Sequence, residues 1–571
     1  MAEPNNLSGD TQTPMSLDSS HKGLIEETIL TSSLTNYGTE SPLDNEEELL
    51  ALSQNIANDV ITWVGGSGYW DEPSNWSTGI LPGTEDEVII DVVGDIEITY
   101  RQNSTTVKNL TVREDLTISG GSLNITGQGA IENDFILSGG TLSSEGTFNI
   151  TGDNNQWRGG TIAGVGDINI DSLATLTIDG TGTKHLGRDA NLNNAGTIIW
   201  KDGTIDGDSR TNNDVINNTG LFDIQTEDDI EYGQYLTLNN SGTLRKSVGT
   251  AETQFYQGTF NNTGDIEVET GRLSFSGSGD GEISGGTITT SQDAVIEWNG
   301  DYNFSGDVTT SGDGVFEVSG RTINATGNAT IHNLHLTGGT LTADELGTFN
   351  ITGDNNQWTG GTIAGVGDIN IDSLATLTID ETGTKHLGRD ANLNNAGTII
   401  WKDGTIDGDF RTNNDVINNT GLFDIQTEDD IEYGQYLTLN NSGTLRKSVG
   451  TAETQFYQGT FNNTGDIEVE TGRLSFSGSG DGEISGGTIT TSQDAVIEWD
   501  GDYNFSGDVT TSGEGVFEVS GRTINATGNA TIHNLHLTGG TLTADELGTF
   551  NITGDNNQWR GGTIAGVGDI N

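Results

Sequence analysis

Short alternating segments of apolar and polar residues recur along most of the chain. In "GDIEVET", Ile266 and Val268 alternate with Glu267 and Glu269, and "VFEVSG" and "AVIEWNG" show the same pattern. Because successive side chains of a strand point to opposite faces, each segment predicts a short β-strand with one buried face. The repeated segments lack the 3.6-residue period of amphipathic helices. We therefore predict an all-β fold.

The predicted strands are separated by turns at a regular spacing. Asparagine pairs begin at Asn193, Asn217, Asn239 and Asn261, which are 24, 22 and 22 residues apart, and double-glycine turns recur at 19 and 20 residues. Units this short cannot bury a core alone, so they must stack on their neighbours. The spacing predicts a right-handed parallel β-helix, or β-solenoid. The alternative is a string of β-sandwich domains, which would have longer strands and less regular turns.

The solenoid interpretation makes three further predictions. Alternate residues of each coil fill a narrow interior, Gly or Asn occupies left-handed turn positions, and Asn side chains at matching corners stack into a hydrogen-bonded ladder. With about 22 residues and about 4.8 Å per coil, residues 100–571 would make a rod of about 21 coils and about 100 Å.

A longer repeat is superimposed on the short one. The segment "GTFNITGDNNQW" begins at Gly146, Gly347 and Gly548, so the period is 201 residues. The copies 146–346 and 347–547 differ at five positions, and a third copy covers 548–571. A chain that ends inside a repeat is expected to be a fragment of a longer protein.

Residues 1–58 differ from the rest because they are polar and acidic and contain Tyr37 as their only aromatic residue. We interpret them as a disordered leader. A short helix is predicted over 44–57, in which Asp44 or Asn45 would cap the amino end and the leucines would form an apolar side. The predicted organisation is therefore a leader at 1–58, a tryptophan-rich cap with the first strands at 59–100, and the β-helix at 101–571.

Composition and charge narrow the function. The 22 Lys and Arg against 84 Asp and Glu give a net charge of −62, which excludes nucleic acid and anionic membranes as partners. The chain has no Cys, so disulfides are excluded. It has no apolar stretch of about 20 residues that could span a membrane. The amino terminus lacks the basic start and apolar segment of a Sec signal peptide, so export would need another signal.

Two segments carry a family resemblance. The stretch "ITWVGGSGYWDEPSNWSTGILPGTEDEVIID" (61–91) places Trp63, Trp70 and Trp76 ahead of "TTVKNLTVREDLTISGGSLNITGQG" (105–129). Together they resemble large bacterial, including cyanobacterial, repeat surface proteins of the filamentous-haemagglutinin and autotransporter-passenger type. The resemblance implies a parallel β-helix, an extracellular or cell-surface location and an adhesive or scaffold role. It supplies no functional residues.

Parallel β-helices also include enzymes, so clusters of charged residues are candidate catalytic sites. "TKHLGRDANL" gathers Lys184, His185, Arg188 and Asp189, and the second copy gathers Lys385, His386, Arg389 and Asp390. These residue types suit binding and proton abstraction on an acidic sugar. A charged turn is the simpler interpretation, because an active site in every near-identical repeat is unusual for an enzyme.

Two glycine-rich segments could bind other ligands. "WKDGTIDGD" (200–208) places Asp202, Asp206 and Asp208 on a turn, and weak Ca²⁺ association there is one possibility, although the spacing matches no known calcium motif. "SGSGDGEISGG" (276–286) lacks the Lys and helix of a phosphate loop. We expect an ordinary acidic turn and no cofactor.

The tryptophan stretch has two interpretations. The first strand of a solenoid exposes an open apolar end that needs a cap, and bulky aromatics beside Gly65, Gly66, Gly68 and Pro82 could provide it. Val88, Ile90, Ile96 and Ile98 are then predicted to point inward. An aromatic platform for sugar binding is the alternative.

Three functions follow as hypotheses. The first is a structural or adhesive segment of a long secreted or cell-surface protein, without catalysis, that contacts extracellular glycans or other surface components. The second is a carbohydrate-active β-helix enzyme, such as a polysaccharide lyase or hydrolase. The third is a calcium-stabilised secreted repeat protein.

Overall fold

The structure, a computed structural model, describes residues 60–571 apart from 208–212, 232–235, 409–413, 433–436 and 479. The predicted leader and its helix at 44–57 lie outside the described residues. The described chain is a parallel β-solenoid, which confirms the predicted fold class. Its single helical element is a short 3-10 helix, Pro73–Asn75. No helix among the described residues is long and apolar enough to cross a membrane.

Three parallel sheets of 24, 24 and 23 strands form the walls of the solenoid. From Ser104–Val107 to Thr549–Thr553 each strand pairs with the third strand after it, so one coil contains three strands. Asn217, for example, pairs with Asn193 of the preceding coil and Asn239 of the following coil. We call the sheets the first, second and third faces.

The strands of residues 60–346 are short, mostly three to five residues. The first face contains Val60–Thr62, Glu87–Ile90, Asn109–Val112, Gly129–Ile131, Thr147–Ile150, Asp167–Ile170, Asn191–Asn194, Asp214–Asn218, Leu236–Asn240, Thr259–Asn262, Asp280–Ile283, Asp301–Phe304, Thr322–Ala325 and Thr340–Ala343. The second face contains Gly68–Tyr69, Glu97–Tyr100, Asp115–Ile118, Phe135–Leu137, Asn155–Trp157, Thr175–Ile178, Thr197–Trp200, Leu221–Ile224, Thr243–Lys246, Asp265–Val268, Thr287–Thr290, Val308–Ser311 and Asn328–His332. The third face contains Ser104–Val107, Ser122–Ile125, Thr141–Ser144, Gly160–Ala163, Lys184–Gly187, Ile205–Asp206, Ile230–Glu231, Glu252–Tyr256, Arg272–Ser276, Val295–Trp298, Val315–Val318 and Leu334–Leu336.

The strands of the second copy follow those of the first at an offset of 201 residues, with bounds that agree within one residue. The third copy contributes Thr549–Thr553, Gln558–Trp559, Thr563–Gly566 and Asp569–Ile570.

The 201-residue repeat does not contain a whole number of coils. The first copy runs from Thr147–Ile150 to Thr340–Ala343 and contains 28 strands, which is nine coils of three strands plus one further strand. The second copy therefore starts one face later. Thr147–Ile150 lies on the first face, its equivalent Thr348–Thr352 on the second, and Thr549–Thr553 on the third. Successive copies are turned about the rod by one face.

Alternate residues of every strand fill the interior, as predicted. Ile266 and Val268 are at most 1% exposed, whereas Glu267 between them points outward. Of the four residues predicted to point inward near the start, Val88, Ile90 and Ile98 are buried. Ile96 is only partly buried. It has the same phase as the buried Ile98, but it precedes the first residue of the strand Glu97–Tyr100.

The interior is one continuous apolar cluster that extends from Ile61 to Phe550. Aromatic rings stack within it, both inside one coil and between successive coils. The ring centroids of Phe260 and Phe275 lie 4.3 Å apart, and those of Phe275 and Trp298 lie 4.8 Å apart, both close to parallel. Each coil therefore buries its apolar residues mainly against the coils directly before and after it.

The turns between strands are tightly stacked. The second glycines of the double-glycine turns are left-handed, and a Cβ atom at Gly140 (φ 72°) would lie 2.6 Å from main-chain atoms of the preceding coil. The prediction of Gly at such positions is confirmed there. The turn after Lys184–Gly187 differs, because Arg188 and Asp189 are both left-handed. The restriction to Gly and Asn was wrong there and at other described turns, where Gln257, Asp293 and Arg321 are also left-handed.

The asparagine pairs form ladders, as predicted, but at strand ends instead of corners. The second Asn of each pair points inward, and Asn194, Asn218, Asn240 and Asn262 are at most 2% exposed. Each Nδ2 donates to the Oδ1 of the next coil at 2.7 Å, from Asn194 through to Asn262. Asn240 Nδ2 also donates to the carbonyl of Asp265 at 3.1 Å. We call this the inner ladder.

The inner ladder should stabilise its coils far more than outward-facing asparagines do. We expect Asn240→Ala to lower the local free energy of unfolding by about 3 kcal/mol, because it leaves buried acceptors without a donor and opens a cavity. The neighbouring Asn239→Ala is the matched control, since Asn239 faces solvent, and it should cost about 1 kcal/mol or less. Hydrogen exchange of the strands around Leu236–Asn240 measures both, and equal losses would contradict the assignment.

Candidate functional site

The first Asn of each pair points outward and forms a second ladder along the rod. In the first copy each Nδ2 donates to the Oδ1 of the preceding coil at 2.8–2.9 Å. The second copy has the same bonds at 2.9–3.1 Å. The members of this outer ladder are Asn149, Asn169, Asn193, Asn217, Asn239 and Asn261, and Asn350, Asn370, Asn394, Asn418, Asn440 and Asn462.

The two ladders have opposite polarity because neighbouring residues of a strand point to opposite sides. Outer amides donate toward earlier coils, and inner amides donate toward later coils. Asn194 begins the inner ladder, and its buried Oδ1 has no hydrogen-bond partner within the described parts of the chain. Asn262 ends it by donating to the carbonyls of Gly264 and Gly285 at 2.7 and 3.1 Å.

A polar groove follows the outer ladder of the second copy across four coils. Its base is formed by Asn394, Asn418, Asn440 and Asn462, and its sides include Thr420, Ser442, Thr464, Glu483 and Ser485. Thr420, Ser442 and Thr464 lie in the turn directly after an asparagine pair, and they are exposed, as is Ser485. We call this set of residues the asparagine groove.

The groove presents both hydrogen-bond donors and acceptors. A primary amide has two N–H groups and two acceptor lone pairs on its oxygen. Among the described residues, Asn440 and Asn462 each use one N–H in the ladder. Asn462 Oδ1 accepts from the Glu483 main-chain N–H at 3.1 Å. Asn394 and Asn418 each make a second Nδ2 bond, to Asp368 Oδ1 and Asn392 Oδ1, both at 3.2 Å. Among these described amides, the second N–H is therefore open to a ligand at Asn440 and Asn462 only.

The structure separates the charged residues of "TKHLGRDANL". They belong to the third-face strand Lys184–Gly187 and the turn after it. Lys184 points into the interior and is fully buried, whereas His185 points outward. Lys184 Nζ donates to the carbonyls of Gly180 and Asp202, the latter at 2.7 Å. Lys385 and His386 are placed the same way in the second copy.

Burial governs the chemistry of these lysines. Desolvation lowers the pKa of Lys184, although the nearby Asp202 opposes this effect. Lys246 is likewise fully buried, and its Nζ donates to the carbonyls of Thr226 and Val248 and to Thr253 Oγ1. Burial lowers its pKa as well. Each ammonium group therefore donates hydrogen bonds to main-chain carbonyls of two neighbouring turns.

Only part of the predicted acidic turn is described. Asp206 lies beside His185, with 3.7 Å between Oδ2 and Nδ1, and burial raises the pKa of Asp206 while His185 opposes this. Asp208 lies outside the described residues, so the three-carboxylate arrangement stays a prediction. Across the described parts of the chain, no group of three or more His, Asp or Glu is placed to hold a metal ion.

The three tryptophans of residues 61–91 pack against one another. Trp63, Trp70 and Trp76 are at most 3% exposed. Their rings meet edge to face, with centroids 4.9 Å apart for Trp63 and Trp76 and 4.7 Å for Trp70 and Trp76. Trp76 Nε1 donates to the Trp70 carbonyl at 2.8 Å. The ring faces that a sugar platform would need are buried.

Ion pairs between coils were not foreseen from the sequence. Arg245 contacts Asp223 of the preceding coil through two hydrogen bonds of 3.0 and 3.1 Å. Burial raises the pKa of Asp223, but hydrogen bonds from Arg245, Ser247 and Gln225 outweigh it and the pKa is lowered. Arg272 bridges Glu297 and Glu317 in the two coils that follow. The partners are 20 or more residues apart, so only the coil register reveals them.

The asparagine groove was also missed as a surface. The sequence pointed to ladders at the four asparagine pairs but not to Asn149 and Asn169, which are single asparagines in "FNIT" and "INID". Their outward phase in the strand alternation was the available signal.

A scan against protein-family models finds no match for the chain, and neither do searches of the curated proteins and of the solved structures.

The buried tryptophans generate a prediction about stability. Trp76→Ala should lower the local free energy of unfolding by about 3 to 5 kcal/mol, because it removes a large buried side chain from contact with two others. Tyr69→Ala is the control, since Tyr69 is 40% exposed and mainly stacks on Arg101 at 3.4 Å. It should cost about 1 kcal/mol. Hydrogen exchange of Val60–Thr62 and Glu87–Ile90 gives the comparison, and an unaffected Trp76→Ala variant would refute the capping role.

Proposed function

We propose that this chain is a structural segment of a long secreted or cell-surface protein, in which it serves as a stiff, acidic spacer. The observation that carries the proposal is the single continuous core, which extends from Ile61 to Phe550 with no break between copies. A stack of this kind resists bending because every coil is hydrogen-bonded to the next on three faces.

Near-identical copies suit this role. The first face contains 24 described strands at a spacing of about 4.8 Å, so the rod is about 110 Å long. One 201-residue copy adds nine and one third coils, or about 45 Å. Because each coil contacts mainly its neighbours, copies can be added without changing the existing ones, and any weak surface contact is repeated with each copy.

The surface limits the partners that we propose. The net charge of −62 opposes nucleic acid and anionic membranes, and the outward side chains are largely acidic, amide or hydroxyl. Extracellular glycans and other uncharged surface components are the partners that fit. The proposal includes a location outside the cell or on its surface, as the family resemblance implies, and assigns no catalytic role and no cofactor.

Deletion of one copy tests the spacer directly. Removing residues 347–547 joins two identical repeat boundaries, and we expect a folded rod that is shorter by about 45 Å. Small-angle X-ray scattering and electron microscopy of the intact and shortened chains measure the difference. A chain that collapses, or keeps its length, would contradict the proposal.

A further inference from the structure

The asparagine groove is a surface for which the spacer role alone gives no reason. We propose that it binds an extended, neutral, hydroxyl-rich polysaccharide, and that the one-face turn between copies makes the rod a cross-linker of such chains. The first copy has the equivalent outer ladder, and we call the surface along it the first groove and the asparagine groove of the second copy the second groove. The inference rests on the proposed spacer function, since it requires a rod that holds both grooves at fixed orientations. It narrows the glycans of that proposal to one ligand class and gives them a site.

The spacing of the groove favours a polymer. Asn394, Asn418, Asn440 and Asn462 occupy the same strand position in four successive coils, so their amides repeat about every 4.8 Å along the rod. This is close to the length of one sugar unit in an extended chain. Successive sugars would thus meet an amide at the same strand position and the neighbouring turn hydroxyl of Thr420, Ser442 or Thr464. A second N–H is open to them at Asn440 and Asn462.

The chemistry of the groove favours a neutral ligand. Sugar hydroxyls donate and accept hydrogen bonds, and the amides of Asn440 and Asn462 offer both. The described residues that line the groove include no Lys or Arg, and Glu483 adds a negative charge at one end. A polyanionic glycan would meet repulsion from this carboxylate and from the net charge of the chain.

The turn between copies directs the grooves to different sides. The outer ladder of the first copy lies on the first face, with Asn217 paired to Asn239 there. The equivalent Asn418 and Asn440 pair on the second face. A single straight polysaccharide therefore cannot follow both ladders along one side of the rod. Two chains can be held at once, one on each face.

Binding is tested with hydroxyethyl cellulose as the neutral probe and polygalacturonate as the acidic probe. The variant combines Asn217→Ala and Asn239→Ala with Asn418→Ala and Asn440→Ala, and circular dichroism checks that it folds. We expect the intact chain to bind the neutral polymer in affinity electrophoresis and the variant to bind it about tenfold more weakly. The matched control removes outward hydrogen-bonded pairs elsewhere, through Ala at Thr289, Ser311, Thr490 and Ser512, and should bind as the intact chain does.

Cross-linking is tested with the grooves removed one at a time. The chain carrying only Asn217→Ala and Asn239→Ala keeps the second groove, and the chain carrying only Asn418→Ala and Asn440→Ala keeps the first. We expect each to retain about half of the bound polymer but to lose the rise in solution viscosity that the intact chain produces. A single-groove variant that still raises viscosity would overturn the cross-linking role.

The outcomes separate this inference from the spacer proposal. No binding of the neutral polymer, equal binding by the four-residue variant, or preferred binding of polygalacturonate would each overturn the groove assignment. The length of the rod is unaffected by those results. A collapsed or unshortened deletion chain would instead refute the spacer, and the cross-linking geometry with it.

Discussion

In-register stacking of parallel coils is the constraint on which the rest of the structure depends. Strands that are three apart in the chain pair in register, as Asn217 does with Asn239. Residue types that recur at the coil spacing are therefore placed directly above one another. Apolar residues then form one core, and asparagines form ladders. A shift of one residue would exchange the inner and outer ladders and bury Glu267 in place of Ile266.

The same stacking explains why charged groups can be accommodated in a narrow rod. Lys246 is buried, but three oxygen atoms of neighbouring turns accept its hydrogen bonds. Arg272 reaches carboxylates in two later coils. The bond from Lys246 to Thr226 and the Arg272 ion pairs form only between coils, so a single coil could not form them alone. Stability and surface pattern therefore arise from repetition, and both change if the number of strands per copy changes.

Much of the fold was predictable from local pattern. Strands, and the residues of each that face inward or outward, were predictable from the alternation around Ile266, Phe316 and Ile296. The spacing of the asparagine pairs was sufficient to predict the solenoid. The turn between copies was not predictable, because it depends on 28 strands being counted with three per coil, and short strands such as Ile205–Asp206 lack a clear alternation. The groove was missed for a related reason, since its residues come from four coils.

Disulfide formation between engineered cysteines tests the stacking most directly, because the chain has no native Cys. Asn217 and Asn239 are register partners on adjacent parallel strands, at a separation of about 4.8 Å that a disulfide can bridge. We expect the Asn217→Cys, Asn239→Cys chain to form the bond readily under mild oxidation. The Asn217→Cys, Leu238→Cys chain should not, because Leu238 is 2% exposed and points inward. Bond formation in the second chain but not the first would contradict the register and the account built on it.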